Sequence, residues 1–584
     1  MAVPTHARSV VVVGAGPTGL TAALELAYHG VPSIVVDAGG PRSDGSRAIA
    51  IHRTALAVWE RLGCAAPMLA TGLPWQARRT FYRGRELYVQ LMPARVSGDL
   101  PTFLNLPQYQ LEACLAERVG EVDSIELRWQ HRVTAVTQDA HGVTVEVETP
   151  DGPIELLASY VLACDGARSA TRKFLGVEFP GSTYQDRFLI VDIRADLPFP
   201  PEPRFFFEHP TNPGSTILVH PQPDGVWRID WQLRGAVDVA AERAPEALDR
   251  RIRGVIGDLP YELVWVSDYR FHQRLLERLR HGRVFFLGDA AHLVAPFGAR
   301  GMNGAIHDVE NLGWKLAAVL RGEAPAELLD TYQAERWPAQ HHNQLVTDAT
   351  MRFMAPRTAA QRARRTATLW LSTWWPAARR WVDSGKMSEP FTYTDSPVVS
   401  PDDTEPGEWR GAPVPGSKAP DAACTFLAAD EQPVGGRVSR AAGRTAVATR
   451  VTGATGPAPT GLGTPLRLRR LFGPGFVALY FAVDAVSASQ FREATLRYGV
   501  PGNVAVWPVV PIACGARAAV WDRTGEVGRA YAGQPGTLYL VRPDGHVSGR
   551  RRAARPQEVA ELVQFALSGG VPSSGQAGAG VHSS

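Results

Sequence analysis

Four consecutive valines, Val10 to Val13, run straight into Gly14-Ala15-Gly16-Pro17-Thr18-Gly19. A β-branched apolar run without alternation reads as a parallel strand buried on both faces. After the glycines, Leu20, Ala23, Leu24 and Ala27 recur at helical spacing as far as Gly30. A second apolar run, Ser33 to Val36, ends in Asp37. Strand, glycine turn, helix, strand and acid in this order form a dinucleotide-binding βαβ unit. Gly14 permits the sharp turn, Gly16 leaves room for a pyrophosphate at the backbone, and Gly19 lets the helix lie close to the strand. Unsatisfied N–H groups at the helix start favour phosphate. Asp37 suits ribose hydroxyls. The motif alone does not choose between NAD and FAD.

A distant segment makes that choice. Arg283 to Leu287 reads as another buried strand, and it ends in Gly288-Asp289. Beyond Pro296 and Gly301, the residues Met302, Ile306, Val309, Leu312, Leu316 and Val319 mark a long helix. A carboxylate such as Asp289 at a strand end suits the hydroxyls of a ribityl chain. A helix N-terminus at Gly301, Met302 and Asn303 would stabilise the negative charge of a reduced isoalloxazine. His292, beside the turn, reads as structural rather than as a base. The two segments together predict FAD held along its whole length.

With a third motif, Cys164-Asp165-Gly166-Ala167-Arg168-Ser169 followed by Arg172, the chain resembles the FAD-dependent aromatic hydroxylases of the para-hydroxybenzoate hydroxylase type. It looks closest to the larger members that act on phenols, on 3-(3-hydroxyphenyl)propionate or on polyketides. The resemblance covers roughly residues 8 to 395. It implies an α/β fold: a Rossmann-like FAD-binding domain, an inserted mixed β-sheet substrate domain, and a C-terminal thioredoxin-like domain. It places Thr18, Asp37 and Ala38 at the adenosine and pyrophosphate, with Val133, ending a strand from Arg128, at the adenine. Arg47 and Gln108 fall on the flavin side. Asp289, Met302 and Asn303 hold the ribityl and flavin, and Asp165 serves both FAD and NAD(P)H. The implied activity is NAD(P)H- and O₂-dependent hydroxylation of a phenolic or polyketide-like aromatic through a flavin C4a-hydroperoxide. The cofactor carries the hard chemistry, so no catalytic base is named. His220, Arg228, Tyr82 and Trp75 are candidates for lining the pocket. An oxidase or dehydrogenase, a Baeyer–Villiger or epoxidising enzyme, and a non-catalytic flavin-binding partner protein stay open as alternatives. NADH and NADPH are not distinguished.

The domain reading is 1–180 for the first part of the FAD domain, with pocket-lining insertions at about 70–108. It continues with 181–275 for a β-rich substrate domain and 276–395 for the second FAD part. In Val226 to Leu233, Trp227, Ile229, Trp231 and Leu233 alternate with polar residues, so one face is buried and the other is wet or lines a cavity. Trp370, Trp374, Trp375 and Trp381 are expected to pack on the flavin domain rather than lie on a membrane. A linker at 396–420 leads to a domain at 421–568 that lacks CxxC, which excludes the disulfide chemistry of that motif. A Gly/Ser/Ala-rich tail at 569–584 reads as disordered.

The net charge of +3 is small for 584 residues and gives no support for nucleic-acid binding. Five scattered cysteines fit a reducing cytoplasm and suggest no metal site. No apolar run approaches the ~20 residues of a membrane span. Expected partners are thus the aromatic substrate and O₂, with no nucleic acid, no membrane, and a homodimer left open.

Overall fold

The computed structural model describes residues 10–41, 48–93, 98–235, 237–382, 388–402, 406–427, 464–511 and 518–569. Arg47, Cys514 and the tail from 570 lie outside them. The chain forms two compact units, 1–391 and 392–584.

In the first unit, Val10–Val13 sits in the middle of a six-stranded sheet. It pairs in parallel with Ser33–Val36 on one side and Tyr160–Ala163 on the other. Val284–Phe286 continues the sheet in parallel beyond Tyr160–Ala163. The valines are buried because helices cover the sheet: Pro17–Tyr28 and the 20-residue Gly301–Leu320 pack into one apolar core with them. Gly19 makes this approach feasible. A Cβ there would lie 1.8 Å from the Gly14 carbonyl oxygen.

An eight-stranded sheet forms the second layer. Its centre is Gly181–Arg194 between Val226–Leu233 and Glu262–Leu275. Thr216–Pro221 and Arg204–Phe207 extend it. The hairpin Ala77–Tyr82/Arg85–Leu91 completes that side, so the sheet draws on residues far before 181. Trp227, Ile229, Trp231 and Leu233 bury against Leu248, Ile252 and Ile256 of the helix Pro245–Ile256. The opposite face is not wet: Arg228 and Gln232 are buried too. Val133 is the second residue of the strand Arg132–Gln138 instead of the end of one, because Gln130 takes a left-handed turn (φ 60°) after Ile125–Arg128.

The tryptophans depart from expectation. Trp370 and Trp374 of the helix Ala359–Trp374 are 64% and 77% exposed, and Trp375 and Trp381 are about half exposed. The helix is anchored from its other side by buried Arg365, Leu369 and Ser372. Arg365 donates to Glu208 and to the Met354 carbonyl.

The second unit holds a seven-stranded mixed sheet. Phe476–Phe481 runs parallel to Val504–Val510 across the helix Ala485–Arg497. It is antiparallel to Leu538–Val541, which turns into Val547–Arg551 before the helix Gln557–Leu567. The segment read as a linker is packed. Trp409 belongs to this unit's core, and Val398 is fully buried. No helix among the described residues is long and apolar enough to cross a membrane.

A buried ion pair joins Gly301–Leu320 to the 25-residue helix Asp330–Met354. Lys315 Nζ lies 2.6 Å from Glu335 and 2.9 Å from the Asn311 side-chain oxygen, with neither charged side chain exposed. Glu335→Ala would leave the ammonium buried without its counter-ion. It is expected to cost about 3–5 kcal/mol, read as a lower urea midpoint of the first unit.

Candidate functional site

Parallel strands that start together end together, so their following loops share one edge. Val13, Val36, Ala163 and Phe286 are the last residues of four of the five parallel strands, and Gly14, Asp37, Asp165 and Gly288 lie one or two residues beyond them. Val10–Val13 has its sequence-adjacent neighbour on one side and a late strand on the other. The crevice at such a switch point is where open α/β sheets bind ligands.

Gly14 has φ 102°, and a Cβ on it would meet the Cys164 carbonyl at 2.6 Å. A Cβ on Gly16 would meet nothing within 4 Å, so this backbone looks onto open space. The helix it starts carries no side-chain cap, leaving its first N–H groups for a ligand. Asp37 accepts from the Ala15 and Gly39 N–H groups at 2.7 Å each. Ala38 beside it is exposed. His131 N donates to the Asp37 carbonyl, which brings the strand bearing Val133 next to this end. Thr18 reaches the other motif: its Oγ1 would lie 2.7 Å from a Cβ on Gly288.

Asp165 Oδ2 accepts from the Thr171 N–H and hydroxyl at 2.9 Å, while Oδ1 is buried without a hydrogen-bond partner. Arg172 spans the two acidic turns, donating to the Ala167 carbonyl (2.6 Å) and the Ala290 carbonyl (2.7 Å). The Gly288-Asp289 turn is held from beneath. Asp308 accepts from the Gly288 N–H (3.2 Å), His292 Nε2 (2.6 Å), Arg336 (2.8 Å) and Gln340 (2.8 Å). Burial alone would raise the Asp308 pKa, but Arg336 and His292 outweigh it and hold the carboxyl well below the usual range. His292 thus has its Nε2 bonded to this buried carboxylate.

Pro296 is exposed, and Ala299 turns the chain at φ 54° into Gly301–Leu320, whose start also lacks a side-chain cap. Gly301 and Met302 are half-buried. The Asn303 side chain accepts from His52 N (2.9 Å) and donates to the Ala50 and Ala299 carbonyls. Its amide therefore clamps the strand Ala50–His52, and its backbone N–H is the group left for a ligand. Gln108, first in the helix Gln108–Gly120, accepts from Ala48 N at 3.3 Å, one residue past Arg47.

At Phe297 and Gly298, just before the Gly301–Leu320 helix, lies an aromatic hollow lined also by Phe205, Phe207, Leu218, Met354 and Val382, with Arg78 and Thr80 in its wall. Strand alternation puts Leu218 and His220 on one face, and cross-strand pairing puts Asp230 opposite Leu218. His220 sits among rings: Phe205 at 5.7 Å and Trp75 at 6.2 Å between centroids, with Trp75 stacked on Phe103. His220 Nδ1, Asp230 Oδ1 and both amide atoms of Gln222 are buried without partners. Burial, then the Arg228 and Arg78 charges, lower the His220 pKa to about 3, so the ring is neutral. Burial raises Asp230 to about 7, against the pull of Arg228 and with the push of Asp192. Arg228 itself is spent on Asp192, with two 2.8 Å bonds. Tyr82 bonds Thr366 at 3.3 Å. Sequence reasoning missed Arg78 and Thr80, whose only signal was the alternation before the Arg83-Gly84 turn. It also missed Asp308 and Arg336, whose 28-residue separation carries no local signal.

A family profile described as an FAD binding domain matches residues 7–349. The chain belongs to this FAD-binding family. FAD is therefore its cofactor, and the open Gly16 backbone, the two uncapped helix starts and the orphaned Asp165 oxygen fit it. The 3-(3-hydroxy-phenyl)propionate/3-hydroxycinnamic acid hydroxylase of Mycolicibacterium smegmatis is 32% identical over 64% of this chain. The chain spans 66% of that relative's length. Anhydrotetracycline monooxygenase of Streptomyces rimosus is 36% identical over 56% of this chain and 66% of its own. Among solved structures, the rebeccamycin biosynthetic enzyme RebC with reduced flavin matches 97% of this chain and 99% of its own (TM-score 0.69, 25% identity). Aklavinone-11 hydroxylase, solved with FAD and aklavinone, shares the fold over 97% and 100% (TM-score 0.72, 24% identity).

Two outcomes follow for this FAD-binding chain. Gly16→Ala should fold with an unchanged melting temperature without FAD yet lose FAD affinity by about tenfold or more, or about 1.4 kcal/mol. Gly19→Ala should yield little folded protein. The flavin-to-protein absorbance ratio and thermal melts separate the two. Asp230→Asn tests the raised carboxyl. Below pH ~4 the Asp230 carboxyl is protonated in folded and unfolded chains alike. Between there and about 7 only the unfolded chain ionises, so stability falls as pH rises. The variant should match the parent at pH 4 and exceed it at pH 8 in denaturant titrations.

Proposed function

We propose that the chain is an NAD(P)H-dependent FAD monooxygenase that hydroxylates a phenolic or polyketide-like aromatic. The observation that carries this reading is the aromatic hollow beside the flavin-side helix start, with Arg78 and Thr80 in its wall and the unpartnered His220 imidazole 5.7 Å from its Phe205 ring. Apolar walls suit fused or single aromatic rings, and the polar groups suit their hydroxyl or carbonyl oxygens. The relatives named above support the same class.

Gly14, Gly16, Thr18 and Gly19 would take the pyrophosphate, with Asp37 and Ala38 at the adenosine ribose and Val133 at the adenine. Asp165, Asp289, Pro296, Gly301, Met302 and Asn303 would line the ribityl and ring, joined by Gln108 and Arg47. When bound and reduced by NAD(P)H, the flavin activates O₂ and supplies the oxygen. The protein excludes water with Phe205, Phe207 and Phe297 and orients the substrate oxygen toward His220. A neutral imidazole there accepts a hydrogen bond from a phenol without adding charge to the pocket. The strand order of the second unit supports a thioredoxin-like domain, which without CxxC has a structural or homodimer role. The scattered cysteines suit a cytoplasmic setting.

The test is NADH and NADPH oxidation by the yellow protein across a panel of phenols and polycyclic quinones, with hydrogen peroxide measured alongside. Stimulation with little peroxide is expected for the right aromatic, with one oxygen atom from ¹⁸O₂ in the product. Stimulated oxidation giving product without ¹⁸O would instead establish an oxidase or dehydrogenase. His220→Ala should keep bound FAD and NAD(P)H oxidation but shift most turnover to peroxide.

A further inference from the structure

The surface around the helix Ala359–Trp374 breaks the usual rule that an outward helix face is polar. Its buried side is Arg365, Leu369 and Ser372. At 100° per residue, Ala363, Ala367, Trp370 and Trp374 fall in one sector opposite to these. All four are exposed. That sector runs about 16 Å along the helix axis. Two further indoles follow at once, Trp375 and Trp381, edge to face at 5.4 Å. Leu91, 76% exposed, ends the strand whose Tyr88 carries Arg379 on its ring at 4.7 Å. Large apolar side chains grouped on a surface mark a contact with something.

Charge decides what that is. From Ala349 to Val382 the sequence holds no aspartate or glutamate, and it holds arginines at 352, 357, 362, 364, 365, 379 and 380. Arg365 and Arg352 are paired with Glu208 and Asp348. Arg357, just before the helix, and Arg364, next to the indole sector on the helical wheel, are exposed. A second copy of this chain docked through the same face would bring two arginine-rich surfaces together. An anionic lipid surface complements them, and indole is the side chain that settles at the membrane–water boundary.

We propose that the Trp370–Trp374–Trp375–Trp381 face, with Arg357 and Arg364, docks the protein peripherally on anionic lipid. The face lies in the plane of the bilayer surface, indoles in the headgroup layer and arginines on the phosphates. This replaces the expectation of no membrane partner, and it stands whether or not the reaction proposed above is correct. The two residues that bracket this stretch, Met354 before the helix and Val382 after Trp381, both line the aromatic hollow.

The experiment is flotation of the FAD-loaded full chain with vesicles of phosphatidylcholine alone and of phosphatidylcholine mixed with phosphatidylglycerol. Tryptophan emission and sedimentation equilibrium are recorded on the same samples. Expected are binding to the phosphatidylglycerol vesicles, a blue-shifted emission, and weakening by salt. Trp370→Ser with Trp374→Ser should lower the partition coefficient by about tenfold or more, and Arg364→Glu should lower it several-fold. These side chains are exposed, so retained flavin absorbance reports an intact fold. Absence of binding to the anionic vesicles overturns the proposal. A dimer that the double tryptophan variant dissociates would then assign the face to a second copy, and a persistent monomer would leave it to an acidic protein. Equal binding to both vesicle types overturns the role of charge.

Discussion

Everything at the nucleotide edge rests on a single carboxylate. Asp308 gathers a backbone N–H, an imidazole, a guanidinium and an amide from two separate stretches of chain, 288–292 and 336–340. The turn it holds, Gly288-Asp289, follows a strand with no covalent relation to the turns at Gly14 and Asp165. Without a buried anchor these turns would be joined only through the sheet. Arg172, bonded to carbonyls on both acidic turns, supplies the lateral tie. Buried charges of this kind add little net stability when complete. What they supply is position, because removing any member strands the others.

This division of labour explains which parts could be read in the sequence. The strand Val10–Val13, the helix after it and Asp37 are local: apolar period, glycine spacing and an acid about twenty residues on are all contained in one stretch. The long helix from Gly301 was equally plain from its three- and four-residue steps. Asp308 and Arg336 were not, because each looks like an ordinary polar residue on a helix and their meeting depends on how two helices pack. Asn303 lies between these cases. Its place at the helix start was legible, but the diversion of its side chain to Ala50 and His52 depends on a strand about 250 residues earlier.

The substrate side shows the same limit in another form. Alternation in Val226 to Leu233 identified the buried tryptophans correctly. It could not say that the polar face, too, is enclosed, since that follows from the layer packed over it. Once enclosed, Arg228 requires Asp192, and Asp230 becomes a carboxyl that resists ionisation. The hairpin Ala77–Tyr82/Arg85–Leu91 enters the sheet from before the third motif by pairing in parallel with Arg204–Phe207. Pairing over such a separation has no sequence period of its own.

The tryptophan helix inverts the usual logic of burial. Its length and its end at Pro376 follow from propensity and from proline's missing donor. Its facing does not, because Trp370 and Trp374 at helical spacing look the same whether they pack inward or outward. The outcome turns on Arg365. Its guanidinium reaches Glu208 and the Met354 carbonyl, and rotating the helix to bury the indoles would pull that charge out of both bonds. A buried arginine with fixed partners thus sets which face meets the solvent, and the apolar stripe is left outside as a consequence.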